Sequence, residues 1–246
     1  MPSRLHDLKI KEIKNTMSKG KNKHTNENLQ EVEHALTSSE QFFEKNQKII
    51  TYIFVVGVII AIAFLAFHRY YKIPREKKAQ SQMFVAEEYF QKDSFNLALN
   101  GDGNYPGFLD ILDEYGSTTS GHLARYYTGI AYLHLGQYEQ AIEYLDDFST
   151  DDPLLGPIAK GATGDAYAEL GNNDKAVSRY MDAANMNDND FSTPIYLMKA
   201  GNLYGTMGNY DGALNVYKTI KEKYPESNEG RQIDKYIARI KILAKK

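Results

Sequence analysis

Histidines are the side chains best suited to proton or metal chemistry near neutral pH, and this chain has six: His6, His24, His34, His68, His122 and His134. No two share a metal-ligand spacing with a carboxylate partner, so they read as solvated or interfacial residues. Asn100, Asp102 and Asn104 alternate as the start of a calcium loop would. Tyr105, however, stands where that loop needs Gly and Ile111 where it needs a bidentate Glu, which leaves a turn. Gly101, Gly103 and Gly107 follow no strand and make no phosphate cradle, and neither GxSxG nor HExxH occurs. The chain has no cysteine, which excludes a disulfide framework, a thiolate metal site and a lipoprotein anchored through an N-terminal Cys. The expectation is a protein without catalytic residues, metal or cofactor. An enzyme dependent on Asp102 or Asp110 is the disfavoured third reading.

With chemistry set aside, the chain is organised around Ile49 to Phe67, IITYIFVVGVIIAIAFLAF. These nineteen residues carry no charge, and thirteen of them are Ile, Val, Leu or Phe. As a helix they extend roughly 28 Å, the hydrocarbon thickness of a bilayer. Thirteen large apolar residues favour insertion by several kcal/mol, on the order of 0.3 to 0.6 each at mid-membrane. No polar side chain lies deep enough for an ion path, so the span reads as an anchor. Tyr52 at one end and Tyr70 and Tyr71 at the other occupy belt positions, with Pro74 beyond. A signal peptide would lie nearer the start and end in small residues, whereas His68, Arg69 and Tyr70 follow here.

The net charge of −3 divides unevenly: residues 1–48 sum to +2, residues 49–78 to +4 and residues 79–246 to −9. So acidic a final part argues against nucleic acid as a partner. Residues 1–28 are polar and lysine-rich and are expected to be a disordered cytoplasmic tail. Met17, ahead of SKGKNK, offers an alternative start that would remove residues 1–16. Residues 29–48 form an amphipathic pre-anchor segment. Within it Leu29, Val32 and Leu36 share one face, and Thr37 with Glu40 makes a capping box ahead of Phe42 and Phe43 at the interface. The transmembrane helix is assigned to 49–71 and a basic linker to 72–80.

Beyond the linker the sequence repeats. Three segments, beginning near Tyr126, Gly161 and Met198, share one pattern: a Gly, then Tyr at +3, Gly at +7, Ala at +12 and a large residue at +16. The matched sets are Gly129, Tyr132, Gly136, Ala141 and Leu145; Gly164, Tyr167, Gly171, Ala176 and Tyr180; and Gly201, Tyr204, Gly208, Ala213 and Tyr217. The first Gly and the Ala are small where two helices cross, and the second Gly ends the first helix at positive φ. The Tyr and the +16 residue fill the space between the helices. Pro153 and Pro225, at +24 in the first and third sets, are expected to stop the second helix. This pattern resembles the tetratricopeptide repeat (TPR). The resemblance implies an all-α superhelical solenoid that holds partner proteins or peptides and carries no catalysis.

The three repeats are assigned to 122–225. Before them, 81–121 reads as a degenerate first repeat, in which Ala86, Tyr89 and Ala98 keep their places and Asp93 replaces the turn Gly. After them, 226–246 reads as a capping helix with Ile233, Tyr236, Ile237, Ile240 and Leu243 on one face. In TPR arrays the first helix of each hairpin lines a concave groove. That assigns a protein-binding groove to Tyr126, Ile130, Leu133, Asp165, Met198 and Asn202, suited to unfolded or extended segments. Packing against a neighbouring helix fits the same residues equally well. A homo-oligomer joined through the groove also stays open. Residues 79–152 hold thirteen acids against two bases, and here too there are two readings. One is a solvated outer face. The other is a surface in which Asp146, Asp147, Asp151 and Asp152 meet a basic protein.

FFEKNQK leading into one apolar span, RYY just after it and a divergent TPR domain together resemble the YfgM-type proteins. That resemblance implies a single-pass protein of the cell inner membrane, with the tail in the cytoplasm and the repeats in the periplasm. It also implies association with the Sec translocon and a periplasmic chaperone. Flanking charge points the other way: Lys45 and Lys48 precede the span, while Arg69, Lys72, Arg75, Lys77 and Lys78 follow it. Taken alone, that count favours a cytoplasm-facing TPR adaptor that recruits a soluble complex to the membrane.

Overall fold

A computed structural model describes residues 45–245, and the expectations for the tail, for Met17 and for most of the pre-anchor segment lie outside it. The chain divides into two units after His68. In the first, α1 (residues 45–67) contains the apolar stretch, and its helical run extends to Gln91 through a π-helical turn at His68–Lys72. The apolar window has a mean hydropathy of 2.9 and is exposed throughout. By length and composition this helix suffices to cross a bilayer.

In the second unit every regular element is helical. The order is α2 (Ile73–Gln91), α3 (Phe95–Asn100), α4 (Phe108–Tyr115), α5 (Thr119–His134) and α6 (Tyr138–Asp146). Then follow α7 (Leu155–Glu169), α8 (Asn173–Met186), α9 (Thr193–Thr206), α10 (Tyr210–Lys223) and α11 (Ile233–Leu243). Three hairpins, α5/α6, α7/α8 and α9/α10, coincide with the three sequence repeats. α2 with α3 forms a fourth, irregular hairpin whose second helix is interrupted by GDGNYPG and resumes as α4. The expected linker over 72–80 is corrected: Ile73–Gln91 is one helix, started by Pro74 in its first turn, and Ala79 is fully buried. Arg75 and Glu76 explain the order. The Arg75 guanidinium donates to the Glu114 carbonyl and lies 5.3 Å from the centre of the Tyr115 ring. The Glu76 carboxylate accepts from the Thr119 and Ser120 amides at 2.7 and 2.9 Å, neutralising the N-terminus of α5 from another helix.

Each hairpin turns through the same hydrogen bonds. The Gly136, Gly171 and Gly208 amides donate to Leu133, Ala168 and Gly205, and the next amide in each case reaches back to Tyr132, Tyr167 or Tyr204. This is a Schellman ending, and the three glycines have φ of 73, 73 and 77°. Asp93 in the irregular hairpin has φ 55° and makes the equivalent bonds to Phe90 and, through Ser94, to Tyr89. The small residues sit at the helix crossings. A Cβ on Gly129 would meet Leu145 Cγ at 2.5 Å, one on Gly164 Tyr180 Cδ1 at 2.7 Å, and one on Gly201 Tyr217 Cε1 at 2.3 Å. Ala141, Ala176 and Ala213 are fully buried opposite them. The +3 tyrosines are only half-buried and cover the hairpin ends, with Tyr132 stacked on Tyr144 at 5.5 Å.

Proline has a smaller part than its spacing implies. Pro225 does follow the end of α10, but α6 already stops at Asp146, well before Pro153. Capping by Asp152, whose Oδ1 accepts from the Leu154 and Leu155 amides at 2.8 and 2.9 Å, starts α7 just beyond that proline. α11 closes the array, with Ile233, Ile237 and Ile240 buried against the core of α8, α9 and α10.

Two measurements probe this packing. Gly201→Ala should lower stability by about 1–3 kcal/mol through the clash with Tyr217, seen as a lower thermal midpoint in circular dichroism; an unchanged midpoint would contradict the crossing. The core phenols also predict an alkaline limit. Burial pushes Tyr196, Tyr217 and Tyr224 up to about 12, and burial with the Asp165 charge pushes Tyr180 up further. Unfolded tyrosines ionise near 10, at about the ordinary value, so the folded state binds more protons between the two values. The contribution of these phenols to stability should be constant below about pH 10 and fall from there to about pH 12. The chain has no Trp, so 295 nm absorbance follows tyrosinate alone. Tyr180, Tyr196, Tyr217 and Tyr224 should ionise last, together with loss of helix. A single wave near 10 with helix intact would contradict the burial.

Candidate protein-binding groove

In the first helices of the hairpins, α2, α5, α7 and α9, one residue follows each small crossing position. These are Glu87, Ile130, Asp165 and Asn202, each one residue after Ala86, Gly129, Gly164 and Gly201. In the second and third repeats this position is tied to the +16 ring. The Tyr180 hydroxyl donates to Asp165 Oδ1 at 2.7 Å, and the Tyr217 hydroxyl donates to Asn202 Oδ1 at 2.8 Å. In the first repeat the pair is Ile130 and Leu145, both apolar. Glu87 is half-buried, and burial raises its carboxyl above the usual carboxylate range.

Asp165 also joins adjacent repeats. Lys199 of α9 donates to both of its oxygens at 2.7 and 2.8 Å and lies 5.6 Å from the centre of the Tyr180 ring. Gly161, three residues before Gly164, leaves room for the Tyr196 ring, whose Cε1 lies 2.0 Å from where a Cβ would stand. The Asp165 charge and Tyr126 both act on the Tyr196 phenol, after burial. Tyr126, Asp165, Tyr180, Tyr196 and Lys199 therefore form one cluster at the middle of the array.

The six groove residues read from the sequence fall into distinct environments. Ile130 and Leu133 pack on the core between α6 and α7, Tyr126 lies against Phe148 at 5.5 Å, and Met198 packs on the core of the last two repeats. Asp165 is engaged as described. Asn202 is exposed and opens onto a cavity of about 340 Å³, lined with Gly205, Thr206, Tyr217, Tyr236, Arg239, Ile240 and Leu243. Sequence reasoning passed over Lys199, Tyr196 and Arg239. A signal for part of this lay in the recurrence of a polar residue fifteen positions before a tyrosine, at Asp165 with Tyr180 and at Asn202 with Tyr217.

Chemistry elsewhere is structural. His134 stacks on Phe95 at 4.5 Å, and the His122 ring nitrogen meets the Ser149 carbonyl at 2.5 Å. Asp102 Oδ1 accepts from the Asn104 and Tyr105 amides at 2.9 and 2.7 Å, an Asx turn, while its Oδ2 accepts from the Tyr89 hydroxyl. Among the described residues no group of three His, Cys, Asp or Glu side chains could hold a metal. The acidic run is largely committed internally: Asp146 pairs with Arg179 at 2.9 Å, Asp147 pairs with Arg125, and Asp152 caps α7. Asp151 is the member of the four with no such partner among the described residues.

Comparison with known proteins agrees with this architecture. Two tetratricopeptide repeat models match, one over residues 112–154 and 128–190 and the other over residues 196–227. Among solved structures, the fold is similar to a crystal structure of kinesin light chain nearly identical TPR-like repeats from Podosopora anserina. The TM-score is 0.52 at 15% identity, covering 68% of this chain and 87% of that one. At that identity the likeness concerns the fold alone. No curated protein matches the sequence. The hairpins built on Gly129, Gly164 and Gly201 lie within the residues that match tetratricopeptide repeat models, and the described residues form an all-helical repeat array preceded in the chain by a long apolar helix.

Proposed function

We propose that the protein is a membrane-anchored scaffold that holds other proteins in the groove of its repeats and performs no catalysis of its own. The observation that carries this reading is the pairing of one bilayer-length apolar helix with a TPR array whose polar side chains serve packing and hydrogen bonding. TPR arrays are protein-interaction modules, and the groove offers aromatic, apolar and charged positions in sequence along α5, α7 and α9. The resemblance to YfgM-type proteins directs the choice of partners. With the tail in the cytoplasm and the repeats in the periplasm, the scaffold would serve the Sec translocon, a periplasmic chaperone or unfolded secreted clients at the inner membrane.

The cytoplasm-facing adaptor is the second reading, favoured by the five bases after the span. Arg75, one of the five, is drawn into the fold by Glu114 and Tyr115, which weakens its value as a topological signal. Protease access decides between the two. In intact spheroplasts carrying a tag after Lys246, digestion of tag and repeats while the tail survives is the expected result. Protection until the membrane is permeabilised would overturn the periplasmic assignment.

A further inference from the structure

Just after the apolar stretch, residues 69–78 hold five bases and one acid, ahead of a part of the chain, residues 79–246, that sums to −9. The fold divides these charges. Arg75 joins the solenoid, donating to the Glu114 carbonyl and lying 5.7 and 5.3 Å from the centres of the Tyr71 and Tyr115 rings. Glu76, four residues after Lys72, is placed in sequence to pair with it along a helix. Its carboxylate instead accepts from the Thr119 amide at 2.7 Å and from the Ser120 amide and hydroxyl at 2.9 and 2.6 Å. Arg69, Lys72, Lys77 and Lys78 are left exposed, with no ion pair among the described residues. Lys77 and Lys78 lie about 100° apart around α2, and neither shares the face of Ala79, Met83 and Ala86 that packs on the core. The charge is thus spread around the helix. It belongs to no cavity and to no groove position.

We propose that Arg69, Lys72, Lys77 and Lys78 form a basic collar that gathers acidic phospholipids around the anchor. A headgroup layer surrounds an emerging helix on every side, and bases spread around that helix match it. Residues 69–78 rise roughly 13 Å, comparable with a headgroup layer of about 6 Å and one Debye length of about 8 Å beyond it. Their long stems let the charged ends reach the phosphates, and Tyr70, 82% exposed, is a side chain suited to the same layer. The inference rests on the reading that Ile49–Phe67 crosses a bilayer. It holds on whichever side the repeats lie, because the collar reads headgroup charge alone.

The full chain is reconstituted into phosphatidylcholine vesicles at low salt, with spin-labelled phosphatidylglycerol or spin-labelled phosphatidylcholine added in turn. Electron spin resonance reads the motionally restricted fraction of each lipid. Phosphatidylglycerol should associate about fivefold more strongly, the worth of one base acting on one headgroup, and the preference should shrink at about 1 M salt. Replacing all four residues with Gln should abolish the preference without moving the thermal midpoint, while Lys72→Arg, Lys77→Arg and Lys78→Arg together should keep it. Equal association of the two lipids, or a preference that survives in the glutamine variant, would overturn the collar alone. A restricted fraction of neither lipid would overturn the anchor with it, so the two failures are distinguishable. Self-association of the full chain in neutral detergent, lost in the glutamine variant, would assign these bases to the acidic surface of a second copy and overturn the lipid reading.

Discussion

The contact on which the rest of the solenoid depends is the closure of each hairpin at one glycine. At Gly129, Gly164 and Gly201 the first helix gives up its side chain so that the +16 residue of the second helix can lie against its backbone. The interaction is dispersion and apolar burial at close range, worth most where no gap remains. Its consequence reaches the next residue of the first helix. When the +16 residue is Tyr, its ring passes under the first helix and its hydroxyl emerges one residue further on, at Asp165 or Asn202. When it is Leu145, the same position holds Ile130. The polarity of the position after each crossing glycine therefore matches the residue that fills the crossing.

Stacking of the repeats follows the same economy of volume. α7 buries Gly156, Ala159, Gly161, Ala162, Gly164 and Ala166, a helix made small on nearly every side because helices approach it from both neighbouring repeats. Gly161 admits Tyr196 from the next repeat, and Tyr196 brings its hydroxyl toward Asp165 and Tyr126. Lys199, one turn further along α9, then completes the contact as an ion pair. Half-exposed as that pair is, it adds little stability, and its value lies in fixing register between α7 and α9.

Much of this was legible in the sequence because the glycines and alanines have no other physical reason for their spacing. A Gly seven residues after a Gly, with Ala five later, requires a tight crossing and a left-handed turn, and Asp93 could be placed in the equivalent turn for the same reason. Proline was a weaker guide. Pro153 fits the period, yet α6 ends earlier because Asp147 and Phe148 leave the helix. The stretch over 72–80 misled through composition: its lysines look like a linker, while Arg75, Glu76 and Ala79 face partners that lie some forty residues away in the chain. Contacts of that range have no local signature. Arg239 was hidden for a related reason. The terminal helix was read for its apolar stripe, and a cation beside the stripe acquires meaning only once α9 supplies the facing wall.

The terminal helix thus has two consequences from one placement. A solenoid must end, and a bare last repeat would expose the ring of Tyr217 and the side chain of Ile220 to water or to a second chain. α11 covers them with Ile233, Ile237 and Ile240. Because α11 packs on α10 and reaches α9 only in part, it leaves a polar-walled cavity in place of a sealed end. An end that only capped the array would gain by filling that space with another apolar side chain. Arg239 forgoes that burial, and it stands beside a carboxamide whose oxygen is already held. Arg239 and Asn202 are both exposed, so water satisfies their polar groups and the open end costs the fold little.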